Sequence, residues 1–188
     1  MGFHTFDPEG AERLEDQSRY AYLSVDELLA LFGPEPGDVV ADLGSGTGFY
    51  TDDVARHVER VYAVDLQPEM HDHYREKGLP DNVELVTAEV GDLPFADGEL
   101  DAAFSTMTFH EFATPEALAE VARVLGPGGR LGICDWTAAG AGERGPPVAE
   151  RFDAAEARAR LEAAGFVVDR TEDRRETFVL AAHLPDGE

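Results

Sequence analysis

The sequence predicts one α/β domain, a doubly wound, mostly parallel sheet with helices on both faces. Three observations support this prediction. Short apolar runs alternate with amphipathic stretches, the first five runs begin 18 to 30 residues apart, and three helical stretches have clear start and stop residues. Right-handed crossovers between parallel strands place the helices on both faces. A chain of 188 residues is near the size of one domain, so we expect a single domain over residues 1–188.

Seven apolar runs are the candidate strands. Five of them suit a parallel sheet: Asp38–Leu43, Arg60–Asp65, Asn82–Thr87, Leu100–Ser105 and Arg130–Trp136. Two later runs, Phe166–Val168 and Thr177–Ala182, are separated by eight residues. Because that gap is too short for a helical crossover, these two should pair antiparallel.

Three helices are predicted by an N-capping side chain and a terminating glycine. Residues 137–147, which follow the fifth strand run, are rich in Ala, Gly and Pro and predict a loop. The caps and stops are Ser24 with Gly33, Thr114 with Gly126, and Asp153 with Gly165.

The charge of the chain restricts its partners. There are 39 acidic and 15 basic residues, a net charge of −24, and Lys77 is the only lysine. Such a chain repels nucleic-acid backbones and anionic lipid surfaces, so we expect neither as a partner. The same charge favours adaptation to concentrated salt, where screening weakens self-repulsion. The N-terminus lacks the pattern of a secretory signal, no apolar run is long enough to span a membrane, and Cys134 is a single cysteine, so we expect a cytoplasmic protein.

A glycine loop is the strongest chemical feature. Asp42-Leu43-Gly44-Ser45-Gly46-Thr47-Gly48 directly follows the first strand. Glycines allow a sharp turn and close approach of the backbone to a ligand. The second strand ends in Asp65, whose carboxylate can accept hydrogen bonds from both hydroxyls of a ribose. Together these features predict a site for a nucleoside-containing cofactor.

The loop spacing distinguishes between cofactors. Dinucleotide sites usually have G-x-G-x-x-G, whereas Gly44, Gly46 and Gly48 form G-x-G-x-G. Asp42 would oppose a pyrophosphate but suits the ammonium of an amino-acid tail. This favours S-adenosyl-L-methionine over NAD.

The chain resembles the class I S-adenosylmethionine-dependent methyltransferases, of the small type similar to ubiquinone/menaquinone-biosynthesis methyltransferases. The resemblance covers Val39 to His183. It is carried, in order, by Asp42–Gly48, Val64-Asp65, Ala88–Phe95, Leu100–Ser105 and Arg123–Leu131.

The resemblance implies a Rossmann-like seven-stranded sheet with a reversed last strand. It also implies an N-terminal helical lid over residues 1–36, preceding a core over residues 37–183. At the position of the acid that meets the adenine, this chain has Glu89 where the family usually has Asp, and Asp92 or main chain near Val90 could share the contact. The implied cofactor-binding residues are Asp42, Gly44, Ser45, Gly46, Thr47, Gly48, Tyr50, Asp65, Leu66, Glu89, Val90, Ser105 and Thr106.

Methyl transfer from a sulfonium needs a base only if the acceptor begins protonated. His110, after the fourth strand, is the candidate base because a neutral imidazole can remove a proton at physiological pH. Glu111 would orient it. The alternative is that His110 has a structural role.

The acceptor pocket should draw on aromatic side chains. Tyr20, Tyr22 and Trp136 are the candidates, although each could simply pack on the core. The N-terminal Phe3 and Phe6 belong to the same group, and the Glu143-Arg144 loop is a candidate gate. No metal is expected, because His71 and His73 lie two positions apart and diverge on a helix.

The sequence therefore predicts methyl transfer to a small-molecule acceptor by a monomer or homodimer. Two alternatives stay open. One is a cofactor-binding regulatory module without turnover, and the other is an NAD-dependent oxidoreductase.

Overall fold

Branched and small apolar residues form a sheet whose central strands are buried on both faces. The computed structural model describes residues 8–187. The sheet has the strand order β3-β2-β1-β4-β5-β7-β6, and all pairs are parallel except those that β7 makes with β5 and β6. The predicted seven-stranded sheet with a reversed last strand is thus confirmed. The strands are β1 (Val39–Leu43), β2 (Arg60–Asp65), β3 (Val83–Thr87), β4 (Leu100–Thr106), β5 (Leu125–Trp136), β6 (Val167–Asp173) and β7 (Thr177–His183).

The three predicted helices start at their predicted caps. The side chains of Ser24, Thr114 and Asp153 accept hydrogen bonds from the backbone N–H three residues later, which satisfies donors that the helix itself leaves unpaired. The helices are α1 (Val25–Phe32), α2 (Thr51–Val54), α3 (Pro68–Lys77), α4 (Phe109–Phe112), α5 (Pro115–Val124) and α6 (Ala154–Ala163), with 3₁₀ turns at Pro8–Glu15, Gln17–Ala21, Ala55–His57 and Val148–Glu150.

Two apolar layers cover the sheet. On one face, α5 and α6 bury Leu118 and Leu161, and the short α4 adds Phe109. On the other face, α1 buries Leu28 and Phe32, and the Phe32 ring stacks on Phe104 of β4 at 5.3 Å. Because both faces are covered, β1 and β4 are buried along most of their length, as expected of a doubly wound sheet.

Two strands, β5 and β6, extend several residues beyond the runs that the sequence predicts. β5 begins at Leu125 instead of Arg130, since α5 passes directly into the strand and Gly126 does not separate them. A register shift in the β4–β5 pairing between Leu100 and Ala102 accommodates this extra segment. β6 extends to Asp173 because an edge strand paired only with β7 can expose polar side chains.

The N-terminal region divides into two parts. α1 is a layer helix packed on the sheet, with Leu31 and Phe32 close to Gly132 of β5. The two preceding 3₁₀ turns, within 8–21, lie instead beside the glycine loop. Phe3 and Phe6 lie outside the described residues. Within 8–187, no helix combines the length and hydrophobicity needed to cross a bilayer.

Candidate functional site

The glycine loop connects β1 to the short helix α2 at the carboxyl edge of the sheet. The N–H groups of Gly44 and Ser45 both donate to Val64 O at 2.9 Å, which ties the loop to the tip of β2. Gly44 has a φ of +82°, and a Cβ there would lie 2.3 Å from Thr108 Cγ2. Only glycine fits this tight turn, which lies where the strand order reverses, the usual ligand position in such sheets.

Asp65 at the end of β2 fixes the shape of the loop. Its Oδ2 accepts the Gly46 N–H at 2.8 Å, and its Oδ1 accepts the Gln67 N–H at 2.9 Å. Each carboxylate oxygen can accept more than one hydrogen bond, so both retain capacity for ligand hydroxyls. The backbone contacts hold this carboxylate in place.

A cavity of about 630 Å³ opens over this edge of the sheet. It is lined by the glycine loop, the tips of β2 and β4, and the segments that follow β3 and β4. The lining residues are Leu14, Arg19, Gly44, Ser45, Gly46, Phe49, Tyr50, Val64, Asp65, Leu66, Gln67, Met70, Ala88, Glu89, Val90, Gly91, Asp92, Thr106, Met107, Thr108, Glu111, Phe112, Thr114, Glu116 and Ala117.

One region of the cavity combines apolar walls with acidic groups. Leu66 is 48% exposed, unusual for a leucine, and it lines the cavity together with Ala88 and Val90. Glu89 and Asp92 lie in the same region. A flat apolar ring with an exocyclic amine would cover the exposed leucine and donate to an acid.

The part of the cavity beside the glycine loop carries a positively charged side chain. Arg19 is the only described lining residue with a cationic side chain. Its Nη1 donates to Leu14 O at 2.7 Å, and its guanidinium lies 4.9 Å from the Phe49 ring and 5.2 Å from the Tyr50 ring. Burial lowers the pKa of Arg19, while nearby Tyr50 and Asp42 oppose that effect. Among the residues described, the Leu14 carbonyl is the one group that accepts a hydrogen bond from this guanidinium, so its other N–H groups can donate to an anionic group.

Several predicted cofactor residues support the loop from behind and do not line the cavity. Asp42 is buried, with Oδ2 accepting the Thr51 hydroxyl at 2.6 Å. Thr47 donates to Glu15, and Ser105 Oγ donates to Leu43 O at 2.8 Å. Gly48 packs under the Tyr74 ring.

Two buried polar atoms at the loop lack partners among the described residues, namely Asp42 Oδ1 and Ser45 Oγ. Desolvation raises the pKa of Asp42 to about 7, and the Thr51 hydroxyl only partly opposes this. A site with a fixed carboxylate at the strand tip, an apolar wall and two polar atoms that lack described partners fits a nucleoside cofactor that carries an ammonium and a carboxylate.

The predicted acceptor aromatics lie away from the cavity lining. Tyr20 packs on Phe49 at 4.8 Å and donates to Asp53 at 2.6 Å. Tyr22 packs edge-on against Trp136, with ring centroids 5.0 Å apart. Their assignment to the acceptor pocket stays a prediction.

The loop after β5 is held by a buried arginine. Arg151 Nε donates to Pro146 O at 2.9 Å, and its Nη1 donates to Thr137 O at 3.3 Å. Buried Glu176 accepts from the backbone N–H groups of Ala141 and Gly142. These contacts bracket Glu143-Arg144, the candidate gate, and favour a fixed loop.

His110 and Glu111 lie on α4, next to the cavity. The His110 side chain is 8% exposed, and Glu111 lines the cavity. Asp135 of β5, which is fully buried, accepts from His110 Nδ1 at 2.9 Å and from the His110 backbone N–H at 2.6 Å. Asp135 thus contacts His110 at hydrogen-bond distance, whereas Glu111 Oε1 lies 3.9 Å from His110 Nε2, and the orienting role expected of Glu111 stays a prediction.

Three residues at or beside the cavity were not identified from the sequence. These are Arg19, Met107 and Asp135. Met107 lines the cavity with a φ of +61°, the only described non-glycine residue in the left-handed region. Asp135 had one sequence signal, because an acid inside an apolar strand run needs a partner. Among residues 8–187, no cluster of His, Cys, Asp and Glu has the arrangement of a metal site.

The fold and site define an α/β protein that binds a nucleoside cofactor, and comparisons with known proteins agree. Residues 41–133 match the model of the methyltransferase domain family. A crystal structure of a SAM-dependent methyltransferase from Aquifex aeolicus is 33% identical, with a TM-score of 0.87 over 96% of this chain and 100% of that one.

Two curated relatives match part of their length. An uncharacterized methyltransferase-like protein of Schizosaccharomyces pombe is 33% identical over 69% of this chain and 50% of that protein. A demethylmenaquinone methyltransferase of Corynebacterium kroppenstedtii is 37% identical over 55% of this chain and 44% of that protein. The chain thus spans about half the length of these curated relatives.

This chain belongs to the S-adenosylmethionine-dependent methyltransferases, for which S-adenosylmethionine is the cofactor.

Proposed function

We propose that this protein transfers the methyl group of S-adenosylmethionine to a small molecule. The observation that carries the proposal is the cavity, where the glycine loop and Asp65 meet both an apolar, acidic region and the guanidinium of Arg19. When bound, this cofactor supplies a methyl group already activated by the positive sulfur. The protein's own contribution is to position the acceptor and to exclude water.

Different lining groups would hold different parts of the cofactor. Asp65 would accept from the ribose hydroxyls, and Leu66 with Glu89 and Val90 would hold the adenine. Arg19 would bind the methionine carboxylate, because it is the only described cation in a lining rich in acids. Asp42 would attract the ammonium through its charge from behind the loop.

The residues beside the glycine loop close the site. Tyr50 donates to Arg19 O at 3.1 Å and to Leu23 O at 2.9 Å, which fixes the 3₁₀ turns against the loop. Thr47 and Lys77 both contact Glu15 in the first of these turns. We infer that residues 8–21 act as the lid that the family resemblance implies.

A small acceptor is favoured by the space available. The cavity of about 630 Å³ lies within the range of small-molecule sites, and the cofactor itself would occupy much of it. The demethylmenaquinone relative shows that this family includes enzymes named for quinone-type acceptors. A net charge of −24 disfavours nucleic acid as the acceptor.

Two measurements test this function. Isothermal titration should show binding of S-adenosylhomocysteine, with NAD as the control that tests the oxidoreductase alternative. Incubation with S-adenosylmethionine and a small-molecule cell extract should then produce S-adenosylhomocysteine. Binding without any turnover would support the regulatory alternative, and binding of NAD alone would refute methyl transfer.

A further inference from the structure

We propose that Glu111 takes a proton from the acceptor, that His110 and Asp135 position it, and that the acceptor is therefore a neutral molecule with a protonated nucleophilic atom, such as a hydroxyl. This inference rests on the proposed function and adds the chemical class of the acceptor. It also reverses the roles expected from the sequence, in which His110 was the base and Glu111 oriented it.

The buried Asp135 carboxylate is the fixed point of the cluster. Besides His110, it accepts the Trp136 backbone N–H at 2.7 Å. These donors hold the carboxylate inside the protein, where an unpaired charge would be costly. The Asp135 oxygens accept in these contacts, so the His110 Nδ1 contact at 2.9 Å is a hydrogen bond in which Nδ1 carries the ring proton.

With Nδ1 protonated, His110 turns its other nitrogen toward Glu111. His110 Nε2 lies 3.9 Å from Glu111 Oε1. In the neutral imidazole this nitrogen is an acceptor, and in the imidazolium it is a donor. At this distance the two groups interact through charge and do not form a hydrogen bond, so an imidazolium at His110 stabilises the ionised form of Glu111.

Glu111, and not His110, is the member of the cluster that lines the cavity. Burial raises the pKa of Glu111 to about 7, with His110 lowering it and with Asp135 and Asp65 raising it further. Burial alone lowers the pKa of His110, but Asp135, Glu111 and Glu150 together raise it. The pKa of Glu111 thus lies near physiological pH, where a proton acceptor is most useful.

This arrangement selects among acceptors. As the lone pair of the acceptor atom bonds to the methyl carbon, the carbon–sulfur pair stays on sulfur, and the proton of the acceptor atom passes to Glu111. The products are the methylated acceptor, neutral S-adenosylhomocysteine sulfur and protonated Glu111. A carboxylate or another preformed anion has no proton to give, and Glu111, Asp65 and Asp92 in the lining would repel it.

The first test follows the histidine ring by NMR in the protein without acceptor. The His110 signal is assigned by its loss in His110→Gln. Its pKa should fall by about one unit in Asp135→Asn and by a smaller, measurable amount in Glu111→Gln. Glu162→Gln, which removes an exposed acid paired with Arg158 on α6, should leave it unchanged. An unchanged His110 pKa in Glu111→Gln would overturn the coupling between the two groups.

The second test separates acceptors by charge. A small-molecule extract of the source cells is passed over an anion exchanger at neutral pH, and both fractions are incubated with the protein and S-adenosylmethionine. Methylation should occur in the unbound, neutral fraction, and Glu111→Gln should reduce its rate about 10²-fold or more. Methylation confined to the bound, anionic fraction would overturn the inference.

A binding measurement distinguishes this inference from the proposed function. Glu111→Gln and Glu162→Gln should bind S-adenosylhomocysteine as tightly as the wild type. Failure of the wild type to bind it would refute the proposed function. Normal binding combined with methylation of anions would refute only the role of Glu111.

Discussion

Arg19 lies in the proposed lid, and we expect its guanidinium to bind the carboxylate of the cofactor. Replacing it with Met removes the charge and keeps a long side chain against the rings of Phe49 and Tyr50, which lie 4.9 and 5.2 Å from the guanidinium. The substitution therefore tests the charge with little change in packing.

The expected loss of affinity follows from the number of guanidinium donors that can reach the cofactor carboxylate. One guanidinium nitrogen donates to Leu14 O, and the other two have no acceptor within residues 8–187 and can donate to a carboxylate. A hydrogen bond to a charged partner contributes about 1.5–3 kcal/mol. That range corresponds to about a 10- to 150-fold increase in the Kd for S-adenosylhomocysteine.

The assay compares two ligands by isothermal titration. S-adenosylhomocysteine carries the carboxylate, whereas 5′-methylthioadenosine lacks the amino-acid part. Arg19→Met should weaken the first and leave the second within about twofold, well below one hydrogen bond in free energy. Equal losses for both ligands would show that Arg19 only shapes the site, and no loss for either would place the carboxylate elsewhere.

The other predictions concern the cofactor site, the loop and the charge. Asp65→Ala should weaken S-adenosylhomocysteine binding by about 1–3 kcal/mol, because charge-assisted hydrogen bonds and the anchor of the loop are lost; unchanged binding would place the ribose elsewhere. Gly48→Ala should lower the free energy of unfolding in urea by at least about 2 kcal/mol, since its φ is +80° and a Cβ would lie 2.0 Å from the Tyr74 ring. Gly33→Ala, with positive φ but open space, is the control and should cost less. Asp42 has a pKa raised by desolvation from 3.8 to about 7, so the folded state binds its proton more tightly and stability falls as pH rises between these values. Asp42→Asn should therefore gain stability relative to the wild type at pH 8 but not at pH 4, and an equal effect at both pH values would contradict the assignment. Finally, the melting temperature should rise with added KCl, because salt screens a net charge of −24, and a flat response would count against salt adaptation.

The sequence determined the features that depend on neighbouring residues. Capping side chains at Ser24, Thr114 and Asp153 start helices because their hydrogen bonds span three residues. The runs of β1 and β4 are apolar enough to be buried on both faces, and the Gly44–Gly48 loop follows β1 directly. Such patterns are local, so the parallel sheet, its reversed strand and the cofactor class follow from the chain alone.

Only the tertiary structure decided which side chains meet at the cavity. Asp135 reaches His110 across 25 positions of sequence, and Arg19 reaches the glycine loop from a turn that carries no regular pattern. Tyr22 and Trp136 pair with each other, so that neither lines the cavity. These contacts form only when the strands and turns pack together, because each joins side chains that are distant in sequence. The spacing of residues within one segment does not determine which side chains of another segment they will contact.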